Sequence, residues 1–184
     1  MVSREDKIWA GIDEHLTDVL EHFPENRIVA LALQGSQNYG LDTPDSDIDT
    51  KLIVTPSFYE LAMNEKPVSR TFIRDNEEHI DEKDIRLYIE TFRKGNMNFL
   101  EILFTDFYYV NPLYKDAWDV LVSNRDAIAR MNPYRVMQSM CGMCGEKNYA
   151  LQHRYPAKQH IIDEFGYDGK QLAHQERVRH AMIK

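Results

Sequence analysis

The chain is short of cysteine, of basic charge and of long apolar runs, and each shortage removes a class of function. Two cysteines in 184 residues cannot build a disulfide framework, so a reducing cytoplasm is the expected compartment. They stand in Cys141-Gly142-Met143-Cys144, with no second pair to complete a zinc site. Cysteine and glycine at helical spacing are expected instead to let helices approach closely. Lysine and arginine total 22 against 30 aspartates and glutamates, a net charge of −8. That balance excludes a nucleic-acid coat and a binder of anionic membranes, which need a basic surface; a local basic groove stays compatible with it. The longest apolar run, at 28–33, is far too short to span a bilayer. Residues 1–7 carry no apolar signal region. Internal repeats and low-complexity segments are absent as well.

What is there reads as α+β. Ser3 suits a helix cap, with Glu5 and Asp6 in the first turn. Ile8, Ile12, Leu16, Val19, Leu20 and Phe23 follow at helical spacing, and Pro24 and Asn26 end the helix. Residues 27–33 read as a buried strand. Residues 48–54 read as a second, with Asp47, Asp49 and Lys51 on one face and Ile48, Thr50 and Leu52 on the other. A short surface helix is expected at 57–63. Strands at 70–74 and 78–83 flank the turn Asp75-Asn76-Glu77. Asp84 caps a helix that turns Ile85, Tyr88, Ile89 and Phe92 to one side and stops at Lys94-Gly95-Asn96. Beyond it strand signals fade. Residues 99–104 suggest a short helix, and Phe107-Tyr108-Tyr109-Val110 fits either a strand or a helix end. Helices are expected at 113–129, 134–151 and from 169 onward. The last has no C-cap, which suggests a longer natural chain. The expected organisation is a catalytic domain at 1–95, built on a mixed sheet, and a helical region at 96–184.

The segment 34–51 joins the first two strands and holds two glycines, one proline and four aspartates. Asp42 and Asp45 suit a loop. Asp47 and Asp49 lie two apart on a strand, so both carboxylates face one side. Like charges so placed repel unless a cation sits between them, and hard oxygen donors favour Mg²⁺ or Mn²⁺. Gly35 lets backbone N–H groups approach a phosphate, and Ser36 adds a hydroxyl and opens a short turn. A phosphate cradle beside metal carboxylates is equipment for phosphoryl or nucleotidyl transfer. An EF-hand starting at Asp45 is excluded, because Pro56 stands where its terminal glutamate would be.

Taken together, Gly35-Ser36, Gly40 and Ser46-Asp47-Ile48-Asp49 resemble the signature of the DNA polymerase β-like nucleotidyltransferase superfamily. A narrower resemblance links Asp84-Ile85-Arg86, Phe92-Arg93-Lys94-Gly95-Asn96, Phe99-Leu100-Glu101-Ile102-Leu103 and Tyr167-Asp168-Gly169-Lys170 to a bacterial and phage group of predicted nucleotidyltransferases within it. The resemblance implies a mixed sheet with packed helices. It also implies transfer of an NMP from an NTP, ATP among them, to an acceptor hydroxyl with release of pyrophosphate. Two Mg²⁺ or Mn²⁺ ions would be held by Asp47, Asp49 and a third carboxylate from 78–83. Asp81 is the choice for the third, since it shares a face with His79 and Lys83; Asp84 is the rival, with N-capping as its competing role, and Glu82 stands behind both. Gly35 and Ser36 would hold the triphosphate. Lys51 either touches a phosphate or pairs with Asp49, and Lys170 either reaches the substrate or stays at the surface. Arg86, Arg93 and Lys94 meet a phosphate-bearing substrate or form a solvated face. An RNA end, a protein hydroxyl and a small molecule all remain open as acceptors. A non-catalytic nucleotide-binding module and a toxin–antitoxin partner are the alternatives on the same fold.

Overall fold

Ile28–Gln34 forms strand β1, and its first six residues are buried. A strand covered on both faces must lie between two layers of helices. The computed structural model, which describes residues 3–43 and 46–183, arranges four further strands about it: β2 (Asp49–Val54), β3 (Ser69–Ile73), β4 (His79–Asp84) and β5 (Tyr108–Val110). The order is β3-β4-β2-β1-β5. β2 and β4 run parallel, and the other neighbours antiparallel, so the sheet is mixed. Asp45 lies outside the described residues, as does Lys184.

The helices are α1 (Arg4–His22), α2 (Phe58–Ala62), α3 (Ile85–Arg93), α4 (Met97–Leu100), α5 (Lys115–Ser123), α6 (Arg125–Arg130), α7 (Pro133–Ala150), α8 (Gln159–Phe165) and α9 (Gly169–Ile183). Ser3 caps α1 through a capping box with Asp6, which satisfies two of the four free N–H groups at that end. One core packs Ile8, Ile12 and Val19 of α1 on Ile28, Leu31, Leu33 and Leu52. The other packs Tyr88, Phe92, Leu103 and Trp118 on Ala30, Ala32 and Ile53. Ile28 and Ala30 point to opposite cores although two apart, because the pairing of β1 with β2 shifts between them. One inserted residue reverses the alternation.

Leu52 and Val54 enter the α1 core and Ile53 the other, so Asp49 and Lys51 open toward the face away from α1. Ile80 also belongs to the α1 core, which turns His79, Asp81 and Lys83 to that same side. α7 and α9 pack on each other and border this face of the sheet.

Several elements differ from expectation. The sheet takes its fifth strand from beyond residue 95: β5 pairs with β1 at Ala30, Leu31 and Ala32. The helix expected at 113–129 divides into α5 and α6 at Asn124, whose side-chain amide donates to Val120 O at 2.8 Å and closes the first segment. α8 had no forecast. Ile89 is exposed while Tyr88 and Phe92 are buried. Gly142 and Gly145 give no close helix approach, since a Cβ at either would meet nothing within 4 Å. No helix among the described residues is long and apolar enough to cross a membrane.

Candidate functional site

At the end of β1 the chain turns sharply. Gly35 adopts φ 91° and ψ −153°, a region closed to residues with a Cβ. Nothing lies within 4 Å of where that Cβ would be, so the requirement is backbone conformation and the space above it is open. Ser36–Tyr39 then forms a single 3-10 turn. Asn38 Nδ2 ties the turn back to Leu33 O at 3.0 Å, and Gln37 donates its amide to Asp47 O. The turn and the first aspartate are thereby fixed to one another.

The backbone between Asp47 and Asp49 is pinned from below. Ile48 N–H donates to Glu78 Oε1 at 3.2 Å. Glu78 Oε2 takes Arg74 at 2.7 Å and stands 3.1 Å from His15 Nε2. The other ring nitrogen of His15 is 2.8 Å from Thr50 Oγ1, and both residues are fully buried. Burial holds His15 below its usual range despite the Glu78 carboxylate, so it is neutral at pH 7. For Glu78, burial is outweighed by bonds from Asn76, His15, Arg74 and Ile48, which hold its carboxyl below the usual range. Gly11 lets α1 come this close: a Cβ on it would lie 2.7 Å from Ile48 Cδ1.

Above this floor the carboxylates open into a cleft. Asp49 Oδ1 accepts from His79 N–H at 2.9 Å and lies 3.3 Å from His79 Nδ1. Asp81 accepts from Thr71 Oγ1 at 2.6 Å and Gln34 Nε2 at 3.1 Å. Burial would raise its pKa, but those two bonds and the nearby Lys51 ammonium hold it below the usual carboxylate range. Lys51 is buried, donates to Gln34, and stands 3.7 Å from Asp81. Its pKa is lowered by burial against the pull of Glu101 and Asp81. Glu101 is raised by burial in turn, although Tyr39, Lys51, Arg177 and the Gly35 backbone oppose the shift.

Two adjoining cavities share Gly35, Asp49 and His174. One, about 600 Å³, also takes Lys51, Asp81, Lys147 and Arg177. The other, about 560 Å³, takes Ser36, Asp47 and Lys170. The sheet wall bears Asp49 and Asp81 with Lys51 between them and Glu101 nearby, and the facing wall bears Lys147 and Arg177 together with Glu146. Arg177 lays its guanidinium 3.7 Å from the Tyr39 ring centre. Its Nη1 is buried with no partner among the described residues, an orphaned donor that an anion would satisfy. His174 is lowered to about 4 by burial, reinforced by Arg177, Lys147 and Lys170.

The sequence-predicted residues thus fall into one region. Gly35, Asp49, Lys51 and Asp81 line the first cavity, and Gly35, Ser36, Asp47, Asp49 and Lys170 the second. Lys51 pairs with Asp81 rather than Asp49, because the β2–β4 register sets it opposite Asp81. The rivals for the third carboxylate face elsewhere. Asp84 caps α3 and pairs with Arg86, while buried Glu82 pairs with Arg70. Sequence reasoning missed His79, Lys147, His174 and Arg177. Lys170, His174 and Arg177 do stand at helical spacing on one face of α9, a signal that was available.

Among the described residues no group of three His, Cys, Asp or Glu side chains is close enough to hold an ion. The donor chemistry still fits one. Asp47, Asp49 and Asp81 all open on the joined cavities, and oxygen donors of this kind suit a hard divalent cation.

The family model described as RlaP, RNA repair pathway DNA polymerase beta family, matches residues 11–130. A comparison with curated proteins finds no match. The matched segment contains all five strands, the Gly35–Ser36 turn and the carboxylates, but not α7 or α9.

Proposed function

Since the chain belongs to the RNA repair pathway DNA polymerase beta family, and so to the nucleotidyltransferases in general, we propose that it transfers an NMP from an NTP to a terminal hydroxyl of RNA. The carrying observation is a cleft that sets two sheet carboxylates across from two helical cations. Asp49 and Asp81 stand on its sheet wall, Gly35 at its rim, and Lys147, Arg177 and neutral His174 across it. A triphosphate placed between these walls meets the open backbone of Gly35 and Ser36 and the cations of α7, α9 and Lys170. Arg177 Nη1 gains the acceptor it lacks, and a charge-assisted bond of that kind stabilises by about 1.5–3 kcal/mol.

The acceptor oxygen then forms a bond to the α-phosphorus, the bond from that phosphorus to the pyrophosphate oxygen breaks, and the hydroxyl proton passes to a carboxylate of the sheet wall. Asp47, Asp49 and Asp81 would hold Mg²⁺ or Mn²⁺, which would neutralise phosphate charge and make the acceptor hydroxyl easier to deprotonate. Glu78 and His15 keep the backbone around Ile48 in place beneath these side chains. Lys51 screens Asp81 from Glu101 and limits the repulsion between them.

Purified protein is incubated with labelled NTPs, Mg²⁺ and single-stranded RNA, and products are resolved by length. One-nucleotide extension with pyrophosphate release is expected. It should stop with a chelator and fall at least about a hundredfold in Asp49→Asn, which removes a charged donor but keeps the shape. If wild-type protein extends no RNA, or Asp49→Asn extends it equally well, the proposal is wrong.

A further inference from the structure

A second recess lies on the same helix as the cleft. It measures about 500 Å³ and is bordered by Glu90, Arg93, Lys94, Asn132, Arg135 and Ser139. Its charge opposes that of the chain: three cations and one carboxylate, in a protein of net charge −8. Glu90 is shared, with Arg93 Nη1 at 3.2 Å and Lys94 Nζ at 3.5 Å, so one carboxylate faces two cations. Arg135 donates to the neutral Gln138 amide oxygen at 3.4 Å. The side chains of Arg93 and Lys94 are 70% and 64% exposed, which leaves both open to an incoming anion.

The recess lies in line with the cleft. On α7, Arg135, Ser139 and Glu146 recur at i, i+4 and i+11, one flank of the helix. Arg135 and Ser139 border the recess, and Glu146 borders the cleft beside Asp49 and Asp81. Eleven residues of helix span about 16 Å, a length that a few linked nucleotides cover. A duplex would need a far broader basic surface than three side chains supply. Asn132, Gln138 and Ser139 add hydrogen-bonding groups suited to phosphate oxygens and ribose hydroxyls.

We propose that this recess receives the sugar–phosphate backbone of a single-stranded RNA whose terminal hydroxyl lies in the cleft. The inference rests on the RNA-directed reading above and assigns the acceptor its path across the protein: phosphates against Arg93, Lys94 and Arg135, then along α7 to the sheet carboxylates.

The test is direct binding. Fluorescent single-stranded RNA of about ten nucleotides is titrated with wild-type protein and with the combined variant Arg93→Gln, Lys94→Gln, Arg135→Gln, across a series of salt concentrations. All three side chains are at the surface, and matching melting curves confirm that the variant folds. Affinity is expected to fall at least about tenfold, and the slope of log K against log salt to flatten by about two for three lost single-strand contacts. Arg179→Gln, on another face, should change neither. Unchanged affinity and slope in the combined variant, wild-type protein that binds no RNA, or equal dependence on the three residues for duplex RNA would each overturn the inference. The extension assay separates this from the activity: RNA binding lost in the combined variant, with no RNA ever extended by wild type, would keep the recess and sink the transfer reading.

Discussion

The buried bond pair of His15 offers a prediction that the geometry quantifies. In His15→Leu, the apolar side chain fills most of the imidazole's space, so cavity formation adds little. The polar loss dominates. Thr50 is 0% exposed, and its hydroxyl loses the partner at 2.8 Å; leaving such a group unpaired costs about 1–3 kcal/mol. The Glu78 carboxylate loses its 3.1 Å contact but keeps Arg74 and Ile48 N–H, so its loss is the smaller, about 1 kcal/mol. The sum is roughly 2–4 kcal/mol, which in a chain of this size lowers Tm by roughly 5–15 °C. The pH dependence gives an independent check. Burial lowers the folded pKa of His15, so between that value and about 6.5 the unfolded chain binds a proton that the folded chain refuses. Wild-type stability therefore declines as pH falls below about 6.5, and His15→Leu lacks this contribution. The gap between the two is widest above that pH and narrows below it. Calorimetric melts from pH 8 to pH 5 measure both effects. A Tm within a degree of wild type, or a gap that widens toward acid, would refute the reasoning.

Three further outcomes follow from the cleft. His174, lowered to about 4, is neutral in the folded protein between about 4 and 6.5, while the unfolded chain is protonated there. Stability from this group is thus present above about 6.5 and lost on acidification through that window, and His174→Gln should flatten the decline in melting curves. Gly35→Ala should cost about 1–3 kcal/mol because φ 91° is strained for any side chain, and nucleotide affinity measured by calorimetry should fall with it. Arg177→Gln should weaken nucleotide binding roughly ten- to a hundredfold, the range for a lost charged hydrogen bond, while Arg179→Gln, whose partner is Glu176 on the surface, leaves it unchanged.

Much of this arrangement is written locally in the sequence. Alternation at 48–54 separates Asp49 and Lys51 from Thr50 and Leu52, and the structure keeps that division between the two sheet faces. Capping is also local, so Asp84 could be read as an N-cap from its neighbours, and it caps α3. What resisted reading depends on register or on distant packing. The partner of Lys51 is Asp81 because β2 and β4 run parallel with those residues opposed, and no spacing along one strand reveals its neighbour's offset. β5 spans only Tyr108–Val110, too short for alternation to declare itself. The wall facing the sheet joins Glu146 and Lys147 of α7 to neutral His174 and Arg177 of α9, and only the folded chain brings those helices over the sheet. Met143, Glu146 and Lys147 face the cleft from α7, the helix that carries the CxxC.

One half-buried carboxylate joins these two halves. Glu101 accepts from Tyr39, the ring against which Arg177 stacks, and it is also drawn toward Lys51 and the backbone of Gly35. It therefore meets the glycine turn and, through Tyr39, helix α9, and its charge acts on the sheet lysine. Desolvation raises Glu101 although Lys51 and Arg177 oppose the shift, so removal of either cation makes its charge costlier still. On the proposed reading, this couples the phosphate-facing turn to the helical wall: a change at Arg177 alters the charge around Glu101 and, through it, the setting of Lys51 beside Asp81. The matched family segment ends at residue 130, whereas Lys147, His174 and Arg177 lie beyond it. The matched segment thus holds the sheet and its carboxylates, and on the proposed reading the helical half, which meets that segment where Arg177 stacks on Tyr39, is where a phosphate-bearing substrate is selected.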